Sequence, residues 1–219
     1  MTDVDGPRER YRAQVRAEVK QHAWAQIAAA GVSAVSLNAI ARQMSMSGPA
    51  LYRYFASRDE LITALIRDAY RSLADAVREA FDAGADLVGL AGVIRGWARR
   101  DPQRYFLVYG TPVPGYHAPD DTTAISFEVM TVLLEACAST DKPATPFDAH
   151  LEDHREWANG HPASAATLHR ALSFWTRLHG VLSLELAGHF TGMKFDPDLL
   201  IADELADLLS AERPSVGER

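Results

Sequence analysis

A single cysteine in 219 residues cannot close an internal disulfide, and Cys137 stands among Leu133, Leu134 and Ala136, a setting for a small buried hydrophobe. No uninterrupted apolar run reaches membrane-spanning length, and the stretch MTDVDGPRERYR has neither an apolar signal core nor a cleavage site. These absences lead us to expect a cytoplasmic chain with no membrane partner. A glycine-rich phosphate loop, a G-x-S-x-G nucleophile elbow and a Cys-x-x-Cys pair are missing too, so no catalytic residue and no cofactor is expected. Positive charge is scarce overall, the net charge being −7. The scarcity is uneven: residues 1–58 hold eight Arg/Lys against four Asp/Glu, a surplus of +4, which leaves −11 for the remainder. A basic head on an acidic body suits phosphate binding by the head and repulsion of nucleic acid by the rest.

What the chain does have is a dense local pattern from Ser36 to Glu60, SLNAIARQMSMSGPALYRYFASRDE. Ser36 can cap a first short helix whose Leu37, Ile40, Ala41 and Met44 share one face, with Val35 stapling onto Ile40. Met44-Ser45-Met46 is a turn. Ser47 opens a second, very short helix that tolerates Pro49 in its first turn and turns Leu51 and Phe55 inward. Ser57-Arg58-Asp59-Glu60 reads as a capping box, so a long third helix starts there. Two helices joined this tightly match a helix-turn-helix, whose second member can enter the DNA major groove.

The same residues resemble the DNA-binding signature of the tetracycline-repressor (TetR/AcrR) family of bacterial regulators: Ile40-Ala41, Leu51-Tyr52-Arg53-Tyr54-Phe55, and Ser57-Arg58-Asp59-Glu60-Leu61. The family usually has glycine in the turn where this chain has Ser45; a left-handed serine costs about 1–2 kcal/mol. Gly48 and Ala50 are small enough to let the backbone approach a duplex, and N–H groups at a helix start favour phosphate. Ser36, Ser47, Tyr52, Tyr54 and Arg58 carry donors for phosphate oxygens, and the resemblance favours Tyr52, Tyr54 and Arg58. Arg53, Gln43 and Asn38 have donors for base edges, although Arg53 could equally be ion-paired and structural. The candidate DNA-binding set is therefore Ser36, Gln43, Ser47, Gly48, Pro49, Ala50, Tyr52, Arg53, Tyr54 and Arg58.

Met1 to Pro7 reads as disordered, and Arg8, Arg10, Arg12, Arg16 and Lys20 follow on the start of a helix. They fit phosphate contact and a solvated face about equally. That helix runs to Ala30 with Val15, Val19, Ala23, Ile27 and Ala30 in a stripe, and Gly31 supplies a left-handed cap. From Leu61 a helical pattern continues through Ala83, about 30 Å of rise, and Gly84 ends it. Helices follow over Leu87 to Arg100, Gln103 to Tyr109 and Thr122 to Ala138, separated by a Pro/Gly loop from Gly110 to Pro119. A second break spans Asp141 to Pro146.

The body carries Trp97, Phe106, Tyr109, Tyr116, Phe127, Met130, Trp157 and Trp175, residues that line ligand cavities and equally fill cores. Regulators that resemble this chain enclose an effector in this region, which implies a pocket; the effector-binding candidates are Trp97, Phe106, Tyr109, Tyr116, Phe127, Met130, Trp175 and His179. His150 and His154 have metal-ligand spacing near Glu152, Asp153 and His161. HLEDH is not HExxH, however, and a solvated acidic helix end is the plainer reading, so no metal is expected.

Ala163 to Phe190 is apolar around its circumference, with Leu168, Leu172, Trp175, Leu178, Leu182 and Leu186 in one stripe and Phe174, Val181, Leu184 and Ala187 on other faces. After Gly192, Asp196-Pro197 starts a last helix with Leu199, Leu200, Leu205, Leu208 and Leu209. Two such helices from each of two subunits would form an isologous four-helix interface. Trp175, His179 and Gly180 also resemble the WHG-type C-terminal domain of a TetR subgroup. The expectation is an all-α homodimer: a helix-turn-helix head over residues 8–55 for a palindromic double-stranded DNA operator, and a ligand-binding and dimerisation body over residues 56–212. The resemblance implies repression relieved by a small-molecule effector. Beside it stand an effector-independent DNA-binding dimer and a helical metal or small-molecule enzyme that kept a helix-turn-helix.

Overall fold

The computed structural model describes residues 6–111, 116, 119–138 and 145–210. Their regular structure is helical throughout. In order, α1 is Pro7–Ala30, α2 Leu37–Gln43, α3 Gly48–Leu51, α4 Arg58–Asp82 and α5 Leu87–Arg100. They are followed by α6 Pro102–Tyr109, α7 Asp120–Ala136, α8 Pro146–Asp153, α9 Ala165–Leu186 and α10 Pro197–Ser210. Single 3-10 turns occur at Val32–Ala34 and Glu156–Ala158. Of the disorder read for residues 1–7, residues 1–5 lie outside the described residues, whereas Gly6 caps α1 and Pro7 is its first residue; most of the two breaks read at 110–119 and 141–146 also lie outside the described residues.

Two compact units divide the chain: residues 1–69 with 103–122, and residues 70–102 with 123–219. This division differs from the boundary read at residue 55. The start of α4 carries Leu61 and Leu65 into the core of the first unit, and α6 returns to that unit with Leu107 against the same core.

The first core is built from α1 (Val15, Val19, Ala23, Ile27), α2 (Leu37, Ile40, Ala41), and Leu51 and Phe55. Leu51 and Phe55 are fully buried, so a helix of four residues is fixed by two apolar anchors one turn apart. Tyr105 of α6 is fully buried too, with Phe106 edge-on at 5.5 Å between ring centroids, and the Arg104 guanidinium sits 5.8 Å from the Trp24 ring centre.

In the second unit α9 packs on α5, α8 and α10. Its buried face runs through Leu168, Ala171, Phe174, Leu178, Val181 and Leu182. Phe174 and Val181 thus belong to the inward stripe, while Leu172, Trp175 and Leu186 are half-buried at its margin. A helix apolar on all sides has no unique phase in sequence; the neighbouring helices set it. On α10 the buried residues are Ile201 and Leu205, and Leu199 is 70% exposed. Arg95 of α5 pairs bidentately with Glu185 of α9 at 2.9 and 3.0 Å and also meets Asp198 of α10, joining three helices at one guanidinium.

Candidate nucleic-acid interface

The helix-turn-helix is assembled by short-range hydrogen bonds. Ser36 Oγ accepts from the Ala39 N–H at 3.3 Å, and the Ser36 N–H donates to the side-chain oxygen of Gln26 at 2.8 Å. At the far end of α2 the Met46 N–H donates to Ala41 O at 2.8 Å and the Ser45 N–H to Arg42 O at 3.2 Å. That pair is a Schellman cap, and it requires Ser45 to take φ +55°, the left-handed conformation that glycine adopts at no steric cost. Gly31 also has positive φ, but with ψ near 170° it is extended rather than a left-handed cap.

Ser47 Oγ caps α3 through the Ala50 N–H at 3.4 Å, and the backbone continues in turns to Phe55. Gln43, Ser47, Pro49, Tyr52 and Arg53 are exposed, Tyr52 to 44%, while Gly48, Ala50 and Tyr54 are half-buried. Tyr54 packs partly on the core. The exposed residues lie at the end of α2, on α3 and in the turns beside it, and the N–H groups of the α3 start stand beside small side chains, which is suitable chemistry for phosphate. Gly48 lies close to the Asn38 side chain, whose oxygen would sit 3.6 Å from a Cβ at that position.

Arg58 is placed differently from a simple phosphate clamp. Its Nη2 donates to Val32 O at 2.9 Å and its Nε to Val35 O at 3.2 Å, while Nη1 lies 3.5 Å from Asp59. These contacts brace the chain entering α2. The capping box also shifts: Ser57 Oγ accepts from the Glu60 N–H at 3.0 Å, but the Glu60 carboxylate accepts from Ala56, one residue earlier than the pattern suggests. Ser36, Asn38, Tyr52 and Arg58 line a shallow groove of about 380 Å³.

The basic residues of α1 divide. Arg12 donates to Arg53 O at 3.4 Å, Arg16 donates to Tyr54 O and stacks 4.0 Å from the Phe55 ring centre, and Lys20 pairs with Asp68 at 2.6 Å. Sequence reading did not find these roles, although the spacing of Arg12, Arg16 and Lys20, four residues apart, was the available signal.

The eight effector candidates fall into both units. Phe106, Tyr109 and Tyr116 belong to the first, where the Tyr116 hydroxyl and Thr63 Oγ1 are 3.0 Å apart. Trp97, Phe127, Met130, Trp175 and His179 belong to the second. Trp97 is 5% exposed and its indole N–H donates to Ser72 at 2.9 Å, as a core tryptophan does. Trp175 and His179 come together with ring centroids 4.0 Å apart, and burial lowers the His179 pKa to about 4. A groove of about 610 Å³ opens between α4 and α7, but its walls are Ala74, Asp75, Arg78, Glu79, Asp82, Glu128 and Thr131, none of them a candidate.

His150 and His154 stack at 4.0 Å between ring centroids, and His154 Nδ1 lies 2.9 Å from His150 O. Among the described residues no group of three or more His, Cys, Asp or Glu side chains could hold a metal. No helix among them is long and apolar enough to cross a membrane.

Residues 21–65 match the family model described as bacterial regulatory proteins, tetR family, and residues 87–208 the one described as tetracyclin repressor-like, C-terminal domain. The chain is 36% identical over 213 residues to the HTH-type transcriptional regulator Rv1816 of Mycobacterium tuberculosis, spanning 89% of this chain and 91% of that protein. It is similar to the crystal structure of SCO4313, with a TM-score of 0.88 at 67% identity over 94% of this chain and 100% of that one. The TetR-family regulator PfmR from Thermus thermophilus shares the fold, with a TM-score of 0.55 at 15% identity over 89% of this chain and 99% of the other.

Proposed function

The chain belongs to the TetR family of bacterial regulatory proteins and is a DNA-binding transcriptional regulator, not an enzyme, and on that premise we propose that it represses from a palindromic operator until a small-molecule effector binds. The observation that carries the reading is the tip from Ser47 to Tyr54: exposed at Ser47, Pro49, Tyr52 and Arg53, capped at its start, anchored by buried Leu51 and Phe55, and rich in phosphate and base-edge donors. In this reading Gln43 and Arg53 face base edges, and Ser47, the α3 N–H groups and Tyr52 face phosphates.

Two copies read a two-fold operator, and α9 with α10 is the surface on which they pair. Leu184 at 45% and Leu199 at 70% exposure are apolar groups that a second copy would cover. Effector and operator prefer different conformations of the second unit, so each weakens the other by the same factor. Trp175 and His179 are the candidates that support an effector site there.

The test begins with duplexes selected by the protein from a randomised pool. Recovery of an inverted repeat with half-sites about one helical turn apart supports the reading; recovery of no preferred duplex contradicts it. A thermal-shift screen follows, in which a stabilising compound that also releases the selected duplex supports the effector. Stabilisers that leave the duplex bound contradict it.

A further inference from the structure

Three basic side chains four residues apart on α1, Arg12, Arg16 and Lys20, invite a phosphate-contact reading. The geometry turns two of them elsewhere. The turns after α3 end with carbonyls that have no next helical turn to bond, and guanidinium groups meet them: Arg12 Nη2 at Arg53 O, 3.4 Å, and Arg16 Nη1 at Tyr54 O. Arg16 is tied on two further sides. Its guanidinium lies 4.0 Å from the centre of the fully buried Phe55 ring, and Glu60 is 3.6 Å away. Ser47 fixes the start of the same short segment. Lys20, one turn further along, pairs instead with Asp68 on α4.

We propose that Arg16, assisted by Arg12, is a positioning residue for sequence readout: it holds the carboxyl end of the recognition segment through its backbone carbonyls and does not touch DNA. The inference rests on the reading of residues 47–54 as the DNA-reading element. Four residues of helix are too few to hold their own direction. Leu51 and Phe55 seat the segment, and the arginine sets the end that carries Arg53 and Tyr54. Without the brace, matched and mismatched sequences are bound more nearly alike, while the number of phosphates contacted stays the same.

The test compares wild type, Arg16→Met and Lys20→Met on a duplex that wild type selects from a randomised pool and on a scrambled duplex of equal length, each over a series of salt concentrations. The Arg16→Met protein is expected to lose about tenfold in the ratio of the two affinities, the worth of one charge-assisted hydrogen bond, at the wild-type salt slope. Lys20→Met, which removes the same charge from the same helix face, is expected to keep the ratio. A slope shallower by about 0.9 in Arg16→Met means a lost phosphate contact and overturns the inference. An unchanged ratio in Arg16→Met, or an equal loss in Lys20→Met, overturns it as well. Should Arg16→Met melt below the assay temperature, Arg16→Lys is read instead. Lysine keeps the charge but has no planar face for Phe55, so a several-fold loss of ratio at the wild-type slope is expected, and full wild-type behaviour overturns the inference. Failure of wild type to select any duplex removes the DNA-reading assignment itself, and this inference with it.

Discussion

Within each of the two units a different kind of contact stands out. In the first, the short elements are capped by groups a few residues away, Ser36 to Ala39, Ser47 to Ala50, Ser57 to Glu60 and the Schellman pair around Ser45, and arginines from elsewhere in the unit brace their backbone carbonyls. In the second, longer helices are tied across wide gaps in sequence, by Arg71 to Glu128 at 2.6 and 2.8 Å, Arg78 to Glu135 at 2.9 Å, and the Arg95 to Glu185 pair. Local caps make a small element rigid without a large core, as a probe for a DNA groove requires. Long-range charge pairs set helix packing through a few points.

This contrast can be broken at either end. The largest effect is expected from Phe55→Ala, which empties a fully buried ring site under the tip and should cost about 4 kcal/mol, read as a lowered denaturation midpoint. Next is Arg95→Met. The side chains of Arg95 and Glu185 are only 13% and 14% exposed, so removing Arg95 leaves the buried carboxylate with Arg99 alone, 3.8 Å away, and should cost about 3 kcal/mol. Adding Glu185→Leu to it should recover more than half of that loss; no recovery would show that the guanidinium acts through something other than this pair.

A pH-dependent effect of similar size is expected from His179. Its folded pKa is lowered from 6.5 to about 4 by burial, so the unfolded chain takes up a proton near pH 6.5 that the folded chain does not accept. Stability from this group is therefore full above pH 6.5 and declines as pH falls towards 4, by about 3 kcal/mol at the bottom of that window. Denaturation midpoints across the window should show this slope in wild type and lose it in His179→Leu. The smallest effect sharpens the local half of the comparison. Ser45→Gly should gain about 0.5 kcal/mol, the relief of a left-handed serine less the extra freedom of unfolded glycine. A loss would mean that the serine side chain contributes to the turn.

The local character of the first unit is also why its outline was legible in the sequence. Both capping serines, the Ser45 turn and the inward pair Leu51 and Phe55 follow from spacing within a few residues. Arg58 was not legible in the same way, because its partners Val32 and Val35 are backbone carbonyls 26 and 23 residues away, with no side-chain signature. Nor was α6, whose aromatic run reads equally well as pocket or core until Tyr105 is seen buried and Leu107 seen against the first core. For α9 the circumference is so apolar that the buried phase through Phe174 and Val181 depends on its neighbours alone. The candidate interface was thus readable as a set of residues. The arginine braces that hold it depend on contacts across the fold.

The most direct measurement is duplex affinity of a Pro49→Glu variant at low salt, beside its melting curve. Pro49 is exposed at the start of α3, where glutamate suits the helix and should leave the melting temperature unchanged. A carboxylate at the tip should meet DNA phosphates and weaken binding by about a hundredfold or more. Duplex binding as tight as wild type in a folded Pro49→Glu protein would contradict the assignment of Ser47 to Tyr54 as the element that enters DNA.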